Sequence, residues 1–164
     1  MITFSPDGKL VAAVGGETST YSNNGHDGAI YVWDVATGQL RWKGLESEAC
    51  PLVMRFSPDG SVLACGCAIY GRQYSAGDGC VTLWDVKTGG LLRNYNGDTK
   101  TDQMVFAWNA LKRAVAGKSA STSSRLTGDN SSPVSAISFS PDGNLLAAGD
   151  ADGMVRIWPV PSAK

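Results

Sequence analysis

The sequence is poor in charge, in histidine and in long apolar runs. Charged residues make up 18% of the 164 positions, with 14 Lys and Arg against 15 Asp and Glu, and no basic run exceeds two residues. A nucleic acid partner is therefore not expected, because phosphate binding needs a basic stripe. No window of 18 consecutive apolar residues occurs, so no membrane partner or spanning helix is expected. Met1 is followed by Ile2, Thr3 and Phe4 with no basic stretch, so no secretory leader is expected either. The expected location is cytoplasmic, and Cys50, Cys65, Cys67 and Cys80 are then expected as thiols.

Glycine, in contrast, fills 20 of the 164 positions. Many glycines with few charges point to tight turns between short strands. The string Phe-Ser-Pro-Asp-Gly occurs three times, at Phe4–Gly8, Phe56–Gly60 and Phe139–Gly143, each followed by a short apolar run. Further along each copy an Asp-Gly pair opens an alternating segment that ends in Trp. These segments are Asp27-Gly28 to Trp33-Asp34, Asp78-Gly79 to Trp84-Asp85, and Asp152-Gly153 to Trp158. The first two copies continue as Asp-Val-x-Thr-Gly, at Asp34–Gly38 and Asp85–Gly89. A degenerate copy, Phe106-Ala-Trp-Asn-Ala, stands between the second and the last.

Pro-Asp-Gly is turn chemistry, since Pro presets φ and Gly accepts a positive φ. The flanking alternation gives each segment two faces for neighbouring layers. In the first copy strands are predicted to end at Phe4 and to cover Leu10–Gly15, Ala29–Asp34 and Gln39–Lys43. In the second they are predicted at Leu52–Phe56, Val62–Ala68, Cys80–Asp85 and Leu91–Tyr95. These are the strands a, b, c and d of a unit that must stack on copies of itself to bury both faces.

These in-phase turns and Trp-ending strands resemble the WD-repeat family of β-propellers over nearly the whole chain. The resemblance implies an all-β fold: an incomplete propeller of about four blades, each a four-stranded antiparallel sheet. The blade-like units fall at about 1–47, 48–97, 98–130 and 131–164. The third is expected to be abridged, because Lys118–Ser124 offers no Trp and no strand c. The last is expected to lack its outer strand, because Pro159 and Pro161 cannot donate ladder bonds. The family often links a His, a Ser or Thr, an Asp and the Trp within each blade. Here Asp27, Asp78 and Asp152 match that Asp, and Trp33, Trp84 and Trp158 match that Trp as side chains between blades. Gly97-Asp98 and Gly128-Asp129 stand where a Gly-His pair would, so the polar network is expected to be partial.

The family is known for non-enzymatic scaffolding, and its b–c loops emerge on a face commonly used for binding. Two of those loops are long here, Gly16–His26 and Ile69–Gly77. They carry Tyr21, Asn23, His26, Tyr70, Arg72 and Tyr74, and Tyr and Arg are the residue types that anchor interfaces. No catalytic residue is assigned. His26-Asp27 lacks a nucleophile at a strained turn, and Gly117-Lys118-Ser119 lacks the first Gly of a phosphate loop and a following helix. Cys65, Cys67 and Cys80 resemble part of a zinc set, and Cys67–Cys80 could form a disulfide, but small side chains packed between blades are the expected role. No metal or cofactor is expected. The expected function is a protein-interaction scaffold, a segment of a larger WD-repeat protein. Its partner is an unidentified protein, with self-association or further blades closing the ring. The alternative is a ligand-binding or hydrolytic propeller holding a small molecule or metal, which would need His, Asp or Glu converging from several blades.

Overall fold

The computed structural model describes residues 1–15, 28–46, 49–69, 78–95, 104–107, 132–150 and 153–163. These residues form strands and no helix. Strands β1 (Ile2–Phe4), β2 (Leu10–Gly15), β3 (Gly28–Asp34) and β4 (Leu40–Glu46) make a first antiparallel sheet in chain order. Strands β5 (Ala49–Phe56), β6 (Val62–Ile69), β7 (Asp78–Asp85) and β8 (Leu91–Tyr95) make a second of the same design. A third sheet runs β10 (Val134–Phe139), β11 (Leu145–Asp150), β12 (Met154–Pro159), with β9 (Met104–Ala107) on its outer edge.

Each a–b corner is built by its own side chains. In the second sheet the Ser57 hydroxyl donates to the Asp59 carboxylate and accepts the Val62 N–H at 2.9 Å. Gly60 adopts φ +74°, which lets its N–H reach the Ser57 carbonyl at 2.9 Å. Ser5-Pro-Asp-Gly8 and Ser140-Pro-Asp-Gly143 repeat the same bonds. The c–d corner is fixed by the Asp after the Trp. The Asp34 carboxylate accepts the Thr37 N–H at 3.0 Å, and Asp85 accepts the Thr88 N–H at 2.7 Å. The Asp of each Trp-Asp pair is thus a turn residue, as the Asp-Val-x-Thr-Gly pattern requires.

The three sheets stack face to face in chain order. One face of the middle sheet, with Met54, Phe56, Leu63, Cys65, Cys67, Cys80 and Trp84, packs on Ala12, Ile30 and Val32 of the first sheet. Its other face, with Val53, Val62, Ala64, Val81 and Leu83, packs on Ile137, Leu146, Ala148 and Trp158 of the third. Successive residues along β6 therefore serve two cores, which is the two-sided burial expected of a repeated sheet. All four cysteines are thiols, and Cys65, Cys67 and Cys80 are buried in the first of these cores.

One expectation is corrected. The last unit was expected to lack an outer strand, and the degenerate copy at Phe106 was expected to belong to the abridged unit at about 98–130. Instead β9 pairs antiparallel with β12, from Met154↔Ala107 to Ile157↔Met104. The physical reason is an open edge. Pro159 and Pro161 keep the chain after β12 from folding back as a ladder strand, so the edge is completed by an upstream segment. Among the described residues there are three sheets. Residues 108–131, and with them Trp108, lie outside the described residues.

Candidate interaction surface

The a–b corners gather at one end of the stack. A side chain on Gly60 would meet the Pro6 ring at 3.7 Å, and one on Gly143 would meet the Pro58 ring at 3.6 Å. Each corner thus nests against the corner of the next sheet, with one orientation repeated twice. Strands β2 and β6 run away from these corners. Gly15 pairs with Ala29 at the far end of the first sheet, and Ile69 pairs with Asp78 at the far end of the second. The two long b–c connections therefore leave from the same, opposite end of neighbouring sheets.

Close packing fixes those departure points. A Cβ on Gly28 would fall 2.3 Å from the Pro51 Cδ and 2.6 Å from the Ala49 carbonyl oxygen. A Cβ on Gly79 would fall 2.3 Å from the Ser132 carbonyl oxygen. The Gly of the first two Asp-Gly pairs is thus where the chain entering the next sheet crosses closely over strand c.

Of the residues expected to bind, Tyr21, Asn23, His26, Tyr70, Arg72 and Tyr74 lie outside the described residues, as do Asp27 and Asp152. Asp78 is described by its backbone, which opens β7. Trp84 and Trp158 are buried between sheets. Trp33 differs. It is half-buried on the face of the first sheet that no other described sheet covers, stacked on Tyr31 at 5.5 Å with Lys43 Nζ 5.3 Å from the Tyr31 ring.

Two inter-sheet contacts were not foreseen. Trp42 on β4 stacks on Trp84 at 6.2 Å and donates its indole N–H to the Val86 carbonyl at 2.8 Å. Tyr95 on β8 stacks on Trp158 at 4.9 Å and donates its hydroxyl to the Pro159 carbonyl at 3.2 Å. An aromatic on the outer strand of one sheet therefore grips the Trp strand of the next, twice over. The signal was present in the sequence as one aromatic in each outer strand, Trp42 and Tyr95.

The partial polar network is filled in other ways. Trp84 Nε1 donates to Thr82 Oγ1 at 3.0 Å, within strand c itself. In the third sheet Asp150 takes the strand b position and forms a buried ion pair with Arg156 at 2.6 Å, while accepting the Met154 N–H at 2.9 Å. At the corners, the Ser57 hydroxyl and then the Ser61 N–H hold the Asp59 carboxyl below the usual range. The Ser5 hydroxyl does the same for Asp7, and the Ser140 hydroxyl for Asp142. Among the described residues no group of three His, Cys, Asp or Glu side chains is placed to hold a metal ion. An open cleft of about 550 Å³ near the c–d corner of the second sheet is lined by Arg41, Ser61, Asp85 and Lys87 among others.

The sequence model described as WD domain, G-beta repeat matches residues 2–34, 49–85 and 120–159. The small ribosomal subunit protein RACK1 of Medicago sativa is 26% identical over 159 residues, which is 97% of this chain and 38% of that protein. The WD repeat-containing protein SL1-17 of Schistosoma mansoni is 27% identical over 143 residues, 82% of this chain and 44% of its own length. The DENN domain and WD repeat-containing protein SCD1 of Arabidopsis thaliana is 23% identical over 141 residues, 81% of this chain and 11% of its own length. The chain spans less than half the length of each of these relatives.

Proposed function

The chain belongs to the WD-repeat family, and on that premise we propose that it is a non-enzymatic protein-interaction platform. WD-repeat proteins generally mediate contacts between proteins, and RACK1-type relatives fit a scaffold. The finer reading is an incomplete propeller with blade-like units at about 1–47, 48–97, 98–130 and 131–164. The abridged unit gives up Met104–Ala107 to its neighbour. The proposed location is cytoplasmic.

One observation carries the reading. The two long b–c connections leave the same end of two packed sheets, from Gly15 and Gly28 and from Ile69 and Asp78. Packed strand ends fix where each loop starts before a partner arrives, so less ordering entropy opposes the complex. Tyr21, Asn23, His26, Tyr70, Arg72 and Tyr74 are the proposed contacts, with the tyrosines and Arg72 as anchors.

The test is a comparison of complexes captured by the intact chain and by the Tyr70→Ala/Arg72→Ala variant. The expected result is loss of a specific partner with an unchanged unfolding midpoint. Equal capture by both proteins removes this surface from consideration.

A further inference from the structure

The second sheet carries Cys65, Cys67 and Cys80 on one face, and two of these thiols stand directly opposite each other. Cys67 on β6 and Cys80 on β7 are register partners, and both lie in the core between the first and second sheets. Opposed side chains of an antiparallel pair point to the same face, so the two sulfurs are neighbours across the ladder. Cys65 shares that face, but the residue opposite it is Thr82. Cys50 pairs with Ala68, one residue on from Cys67, and therefore faces the other way.

Opposed Cα atoms in an antiparallel ladder stand about 4.5–5.5 Å apart, inside the roughly 4.4–6.8 Å range of disulfides. The sulfurs therefore bond without a change of register. Opposed Cβ atoms stand about 4.5–5.5 Å apart, slightly beyond the roughly 3.5–4.5 Å of a disulfide. Such a bond draws the strands together and belongs to the strained, easily reduced class, which in a cytoplasmic protein is transient and redox-sensing.

We propose that Cys67 and Cys80 are a reversible oxidation site, joined by a peroxide as a cross-strand disulfide and released by a thiol reductant. The sulfur of one thiol attacks hydrogen peroxide, the O–O bond breaks, and a sulfenic acid and one water result. The second thiol attacks that sulfur, the S–S bond forms, and the sulfenic oxygen leaves as a second water. Both sulfurs are oxidised and the peroxide is reduced. Access comes through the end of the hairpin. The pair sits two ladder positions from Ile69↔Asp78, where the ladder of β6 and β7 ends, and strand ends open at lower cost than strand centres. The bond closes Ala68–Gly79 into a loop, so it fastens the root of the second b–c connection and restricts the unfolded chain. This chemistry does not depend on what that connection binds.

The test treats the folded full chain with hydrogen peroxide, then unfolds it and alkylates its thiols. Peroxide is expected to remove two of the four alkylation sites, and dithiothreitol is expected to restore them. Peptide mapping is expected to find Cys67 joined to Cys80, and the urea midpoint is expected to rise on oxidation. Cys65→Ala is expected to keep the joined fragment, and Cys67→Ala is expected to lose it. Tandem mass spectrometry of the native chain reads which cysteines are joined whether or not a variant folds. Four alkylated thiols after peroxide, a bond to Cys50 or Cys65 instead, oxidation that dithiothreitol does not reverse, or a midpoint that does not rise each overturns the proposal.

Discussion

The Trp42 indole N–H reaches the Val86 carbonyl at 2.8 Å across 44 residues of chain, while its ring stacks on Trp84. The contact joins the outer strand of one sheet to the turn that follows the Trp strand of the next. It is both a packing contact and a satisfied, partly buried donor. Trp42→Phe keeps most of the ring and loses the bond, so it is expected to destabilise by about 1 kcal/mol. Trp42→Ala loses the stacking as well and is expected to reach about 3 kcal/mol or more. Urea unfolding of both variants measures the difference, and equal losses would show that the bond contributes nothing.

The Asp-Gly glycines give a second expectation. Gly79→Ala would force a methyl to within 2.3 Å of the Ser132 backbone oxygen. Backbone cannot step aside as a flexible side chain can, so the loss is expected to be about 2 kcal/mol or more. An exposed glycine, Gly90, would bring such a methyl to 3.2 Å from the Thr88 hydroxyl, a side chain that can move aside, and serves as the comparison. A smaller loss in Gly79→Ala than in Gly90→Ala contradicts the close approach of the third sheet.

Asp150 and Arg156 form a buried pair within the third sheet. Arg156→Met leaves the carboxylate buried without its cation and is expected to destabilise by about 3 kcal/mol or more. Asp150→Asn in addition removes the stranded charge and is expected to recover part of that loss. A double variant less stable than Arg156→Met alone would contradict the pairing as the main role of Arg156.

The corner aspartates set the response to acid. Hydroxyl and amide donors lower the Asp7, Asp59 and Asp142 carboxyls in the folded chain. A depressed folded value means that the stabilisation is present above the unfolded carboxyl range. It is lost as pH falls through the folded value. The urea midpoint is therefore expected to hold from about pH 7 to about pH 5 and to fall below about pH 4. Asp59→Asn is expected to flatten part of that fall. A midpoint that rises on acidification through this window contradicts the corner bonding.

The sequence made the first two sheets legible to within a few residues, because every signal there repeats in phase. Ser-Pro-Asp-Gly marks one corner, Asp-Val-x-Thr-Gly marks the next, and alternation fills the space between. The third sheet was legible for β10 to β12 and not for its edge. Pro159 announces that the chain cannot return there, but no local pattern names the strand that arrives instead. Trp42 and Tyr95 were passed over for a related reason. Their partners lie 44 and 64 residues away along the chain, and a repeat seen one copy at a time does not show which copies touch. The candidate contact residues were legible as loop insertions of suitable chemistry. Of these loops, the strand ends Gly15, Gly28, Ile69 and Asp78 lie among the described residues.

The central claim is that successive repeats stack face to face with an aromatic from one gripping the Trp strand of the next. A double-mutant cycle on Tyr95 and Trp158 tests it most directly, since their rings stack at 4.9 Å from different sheets. Tyr95→Ala, Trp158→Ala and the double variant are expected to give a coupling energy of about 0.5–1.5 kcal/mol. Additive losses, with no coupling, would mean that these two repeats do not pack in this way.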